Sequence, residues 1–143
     1  DLLFEAGSVA HEMYFVTRGA LMYHTSGTKR IQYIHKGGWC SEPVLWVPWV
    51  HNGTAKAAME SHVISVDSAK MRAAVLETKE RRFVSRCAKG YLSDLNKLVD
   101  NGEAIDDMTR ITFDTSDYMR AVRLERSSSI LLESPAGDSS ESV

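Results

Sequence analysis

Apolar residues fall in short runs through the first half of the chain, and each run stops at a glycine or a turn signal. Leu3-Phe4 is a short apolar piece closed by Gly7. Residues 13–18 (MYFVTR) are rich in β-formers and end at Gly19, and residues 20–25 continue beyond it to Ser26-Gly27-Thr28. Residues 30–36 (RIQYIHK) alternate. Ile31, Tyr33 and His35 share one face, and Arg30, Gln32, Ile34 and Lys36 the other, until Gly37-Gly38 ends the run. Residues 54–59 and 62–67 supply two more strand candidates. Short, evenly spaced strands with glycine turns predict a sandwich or barrel.

The pattern then changes period. Asp67-Ser68 is suited to capping a helix that runs to about Leu76. Between Glu77 and Val99 there is no proline and a single glycine. Val84, Ala88, Tyr91, Leu95 and Leu98 recur at alternating steps of four and three, which places them on one helix face behind a polar start, Glu77–Arg82. Asn101-Gly102 stops the helix. From 102 to 126 the signal is mixed, with weak strand or helix potential around 111–113 and 118–124. From Ser127 the chain is rich in Ser, Gly and acid, apart from Ile130-Leu131-Leu132, and is expected to be disordered. The expected division is therefore 1–100 as roll plus helices, 101–126 as a poorly defined extension, and 127–143 as a tail.

Composition narrows the function classes. The chain has 143 residues, 43% hydrophobic and 25% charged, as in an ordinary globular domain. A net charge of −2 argues against nucleic acid as the main partner, because phosphate-backbone binding needs clustered Lys and Arg. Cys40 and Cys87 make neither a disulfide framework nor a metal site. His11, His24, His35 and His62 lack metal-ligand spacing, and no His-x-His is present. No apolar run reaches membrane-spanning length and no signal-peptide pattern is seen. The chain opens on Asp1-Leu2-Leu3-Phe4 without a methionine, and we expect it to be a fragment of a longer protein.

The densest chemistry lies in Gly37-Gly38-Trp39-Cys40-Ser41-Glu42, an apolar run, and then His51-Asn52-Gly53-Thr54. This resembles the phosphate-binding cassette of cyclic nucleotide-binding domains, where G-x-x-F-G-E leads through a short helix to R-x-A-[TS]. The likeness extends outward. Phe4-Glu5-Ala6-Gly7 is similar to the family's F-x-x-G, and Glu12-Met13-Tyr14-Phe15-Val16-Thr17-Arg18-Gly19 to its E-x-Y-F-[IV]-x-x-G. Gly37-Gly38-Trp39-Cys40 resembles the G-D-x-[FC] common among ion-channel members. Thr54-Ala55-Lys56-Ala57 resembles T-V-x-A, and residues 63–67 the L-x-x-[IL]-D before the hinge helix. The match covers about residues 3–98 and lacks the family's first helix and first strand.

The resemblance implies a mainly β fold with C-terminal helices (α+β): an antiparallel β-roll or jelly roll followed by hinge and lid helices. It implies that Glu42 accepts from a ribose hydroxyl, that Thr54 contacts phosphate or purine, and that the Asn52 and Gly53 amides close on the phosphate. Phe83, Cys87 and Tyr91 on the long helix would lie over the base. Three positions depart from the family. Ser41 stands at its Gly, which strains a side chain if φ is positive there. Pro43 follows Glu42 and removes an N–H from the turn facing the anion. His51, nine residues after Glu42, stands at its Arg and loses a permanently charged, bidentate group. Apart from the family, Glu42 also reads as a helix cap, His51 as a structural histidine, Trp39, Trp46 and Trp49 as core or docking surface, and Cys40 as a small hydrophobe.

The expectation is thus a non-catalytic regulatory domain with nucleotide binding weakened or lost, from the cytoplasmic side of a cation channel. Its ligand would be a weakly held cAMP or cGMP, with no other cofactor and no metal. Its partners would be the rest of the parent channel and a second copy through the C-terminal helix, with no membrane contact by the fragment itself. A degenerate assembly module and a kinase regulatory-type domain remain as alternatives.

Overall fold

A computed structural model describes residues 1–111. Within them, strands β1 (Leu2–Phe4), β2 (Glu12–Arg18), β3 (Ala20–Thr25), β4 (Ile31–His35), β5 (Trp39–Cys40), β6 (Gly53–Ala57) and β7 (His62–Asp67) precede helices α1 (Ser68–Leu76) and α2 (Arg81–Asp100). A single 3₁₀ turn, Glu42–Leu45, lies between β5 and β6. The strands form two antiparallel sheets, ordered β1-β6-β3-β4 and β5-β2-β7. The β-roll with C-terminal helices expected from the sequence is therefore present, including the short helical piece after Glu42. Expectations for residues 112–113 and 118–124 and for the tail from 127 lie outside the described residues.

Inward-facing residues of both sheets make one core: Phe4, Val16, Leu21, Tyr23, Ile34, Cys40 and Ala55, with Leu3, Tyr14, Val63 and Met108 packed against it. In β4 the alternation puts Ile34 inside and leaves Ile31 and Tyr33 outside, so the face richer in apolar residues is the exposed one. The reason is that the opposite face carries Ile34 onto the shared core, while Tyr33 stacks with His35 on the surface.

Asp67 caps α1 by accepting from the Lys70 N–H at 2.8 Å. Its carboxyl is held below the ordinary range by that bond. The helical region breaks between Leu76 and Arg81, so Glu77–Glu80 form a link between α1 and α2 and only Arg81 and Arg82 of the polar start lie in α2. The stripe on α2 turns toward the roll. Tyr91 and Leu95 are buried within the chain, and the Tyr91 ring stacks on Trp46 with centroids 5.9 Å apart. Docking of α2 over the cassette turn, rather than exposure of its apolar face, follows from this burial.

Candidate functional site

The cassette is built from two backbone segments that the sheets bring side by side. The first leaves β5 at the buried Cys40 and turns at Ser41, whose φ of 62° and ψ of 27° are left-handed. The family resemblance expects a glycine at this position, and a side chain in this conformation costs ~1–2 kcal/mol. Pro43 occupies the first turn that follows, where a missing N–H is tolerated.

The second segment runs into β6. A bridge between Val9 and Val50 and the bonds Gly7 N–H to His51 C=O (2.8 Å) and His51 N–H to Ser8 C=O (2.9 Å) fix its backbone. The imidazole of His51 is only 4% exposed and stacks on Phe4 with centroids 3.8 Å apart and planes 9° apart. Gly53 opens β6 directly beneath Tyr23. A Cβ at position 53 would lie 2.3 Å from the tyrosine ring, so no larger residue fits without moving it.

These segments converge on Asp107, which arrives from beyond α2 and is fully buried. Its Oδ1 accepts from Trp49 Nε1 (2.9 Å), His51 Nδ1 (2.7 Å) and Ser41 Oγ (3.3 Å). Its Oδ2 accepts from the backbone N–H groups of Asn52 (2.8 Å) and Gly53 (3.1 Å) and from Tyr23 Oη (2.9 Å). The main chain is held as well: Ser41 N–H donates to the Asp107 carbonyl at 2.8 Å, and Asp107 N–H donates to Tyr23 Oη at 3.3 Å.

Burial alone would push the Asp107 carboxyl up. Hydrogen bonds from His51, Trp49 and Tyr23 outweigh it and hold the group below its usual value. The carboxylate is thus ionised and purely an acceptor, which fixes the hydrogen of His51 on Nδ1. Its neighbours respond in the other direction. Burial first, and then the Asp107 charge, raise the Tyr23 hydroxyl and push the Cys40 thiol up to about 12. Cys40 is therefore an inert core residue.

Ser41, His51 and Asp107 together do not form a hydrolytic triad. A triad uses both ring nitrogens, with the acid on one and the nucleophile on the other. Here Ser41 Oγ lies 3.4 Å from the same Nδ1 that serves Asp107, and all three residues are buried.

Of the residues singled out in the sequence, Ser41, His51, Asn52 and Gly53 meet at one anion. Glu42 and Thr54 do not. Glu42 Oε2 accepts from Trp39 Nε1 at 3.0 Å, and Thr54 Oγ1 accepts from Ala6 N–H at 3.2 Å. Among the tryptophans read as core or docking surface, Trp49 is buried and donates to Asp107. Sequence reasoning missed Tyr23 and Asp107 altogether. The one signal pointing to Asp107 was indirect: a cassette that loses its Arg but keeps inward N–H donors needs an acceptor from somewhere.

No family model and no curated protein matches this sequence. Solved structures do. The N-terminal domain of a transcriptional regulator from Streptomyces coelicolor A3(2) superposes with a TM-score of 0.55 at 18% identity, covering 76% of each chain. A candidate cyclic nucleotide binding protein from Ruegeria pomeroyi DSS-3 matches with a TM-score of 0.51 at 16% identity, over 73% of this chain and 49% of that one. The EAL enzyme Bd1971, in its form bound to cAMP and cyclic-di-GMP, matches with a TM-score of 0.53 at 12% identity, over 93% of this chain but 32% of that one. Sheet order, cassette turn and these neighbours define the chain as a domain with the cyclic nucleotide-binding fold.

Proposed function

We propose that this is a regulatory, non-catalytic domain whose cyclic-phosphate site is filled by its own Asp107, so that affinity for free cAMP or cGMP is weak. One observation carries the reading. The cassette amides of Asn52 and Gly53, which the family resemblance assigns to a cyclic phosphate, are spent on an internal carboxylate at 2.8 and 3.1 Å. A nucleotide must displace a buried anion to reach them. It also meets Glu42 already engaged by Trp39, and it finds His51 where a guanidinium would have supplied charge.

The channel-like form of Gly37-Gly38-Trp39-Cys40 supports a parent that is a cation channel, with this domain on the cytoplasmic side. No helix among the described residues is long and apolar enough to cross a membrane. The docking of Tyr91 on Trp46 links the cassette turn to α2, the element through which occupancy of the site would be passed on. Calorimetric titration of the protein with cAMP and cGMP tests the reading. Little or no heat at micromolar nucleotide is expected, and saturable binding in that range would overturn the weakened-site part of it.

A further inference from the structure

The cassette holds more than a carboxylate; it holds a peptide. Beyond the six donors on the Asp107 side chain, Ser41 N–H binds the Asp107 carbonyl and Asn52 Nδ2 donates to the Ile105 carbonyl at 3.0 Å. Thr25 Oγ1 donates to Asp106 Oδ2 at 3.2 Å. Met108 packs against the hydrophobic core cluster that includes Phe4, Leu21 and Tyr23. Arg110 lies over the Trp39 ring, 4.2 Å from its centroid, and donates to the Trp39 carbonyl. The segment is itself turned for this fit, with Met108 N–H donating to Asp106 Oδ1 and Asp106 N–H to Thr109 Oγ1, both at 2.8 Å.

Main-chain carbonyls, an apolar side chain and a guanidinium are features of a peptide, and a cyclic nucleotide offers none of them. We propose that this cassette is a binding site for aspartate-bearing peptide segments, with residues 105–110 as its resident, and that it takes the same segment from outside once the resident is withdrawn. The inference rests on the reading of the cassette as a regulatory site with weakened nucleotide binding. The tether favours the resident. α2 ends at Asp100, and Gly102, at φ 74° with open space around it, turns the chain back toward the cassette. A link this short gives an effective concentration on the order of millimolar, so the wild-type chain is closed to the same peptide at micromolar concentration.

The test uses the full chain, wild type and Asp107→Ala, with a fluorescent peptide of sequence EAIDDMTRI (residues 103–111) read by anisotropy. The variant should bind the peptide, and the wild type should bind it roughly ten-fold or more weakly. A peptide with Asn in place of Asp107 should lose about ten-fold or more on the variant. A folded variant that ignores the peptide, or binds both peptides equally, would overturn the proposal. If Asp107→Ala does not fold, a protease site placed at 102–104 of the otherwise wild-type chain serves instead. After cleavage the two pieces should sediment together, and those of the Asp107→Asn version should separate; joint retention or joint separation in both overturns the proposal. A parallel cAMP titration separates the two readings. Nucleotide binding by Asp107→Ala without peptide binding sinks the peptide site alone, whereas tight nucleotide binding by the wild type sinks the weakened-site reading and with it the claim that residues 105–110 keep the cassette closed.

Discussion

Asp107→Asn keeps the shape of the side chain and removes its charge. Asparagine presents one acceptor oxygen and one NH₂ donor. Donors converge on both oxygens of Asp107, so the amide faces at least one set with the wrong group whichever way it turns. The Ser41 and Tyr23 hydroxyls rotate away from such a conflict. The Trp49 indole and the backbone N–H groups of Asn52 and Gly53 do not. Each buried donor left without an acceptor costs ~1–3 kcal/mol, and each hydrogen bond to a charged group is worth ~1.5–3 kcal/mol. The molecule has one escape: residues 105–110 leave and water takes over the donors, so the loss cannot exceed the docking free energy of that segment. We expect a net destabilisation of about 3 kcal/mol, a large share of the ~5–15 kcal/mol typical of a domain. Urea denaturation followed by tryptophan fluorescence measures it, and Trp39 and Trp49 both touch the site or its neighbour Arg110. A loss below about 0.5 kcal/mol, the range of a featureless surface change, would show that the Asp107 charge is not what holds these donors.

Three further outcomes follow from the same geometry. Asp107 has a folded-state pKa below its ordinary 3.8, so its stabilising contribution is full above that value and disappears as pH falls through the depressed pKa; denaturation curves between pH 5 and pH 2 should show this loss (roughly the window of such a group), and Asp107→Asn should flatten it. Gly53→Ala should cost about 1–3 kcal/mol in chemical denaturation, because its Cβ overlaps the Tyr23 ring whose hydroxyl binds Asp107; wild-type stability would show that Tyr23 does not press on Gly53. Tyr91→Asp should destabilise the monomer by about 3–5 kcal/mol, since Tyr91 is fully buried against Trp46; a stable folded monomer carrying the change would remove α2 from the cassette.

Much of the fold was legible because its signals are local. Glycines end the strands where the sheets turn, and period-2 runs give way to a period-3.6 stripe at α2. The two-residue β5 was too short to show a period, and the inward face of β4 was ambiguous because Ile31 and Tyr33 look as apolar as Ile34. Ser41 could be read for its strain, and the backbone does take positive φ there. The occupant could not be read. Asp107 sits in a polar stretch without periodicity, and its role comes from partners more than fifty positions away, at Trp49, His51, Asn52, Gly53 and Tyr23. Nothing local marks an aspartate as the fill for a distant anion site. Likewise Glu42 and Thr54 match the family by spacing, but their oxygens are claimed by Trp39 and Ala6, which only the packing reveals.

Asp107 occupies the anion donors of the cassette. The most direct measurement is hydrogen exchange at the Asn52 and Gly53 amides by NMR, in wild type and in Asp107→Asn at matched pH. Both amides donate to the Asp107 carboxylate. Strong protection is expected in the wild type and its loss at these two sites in the variant, with protection in the β2–β7 pairing retained. Equal protection of both amides in the two proteins would show that Asp107 does not hold them.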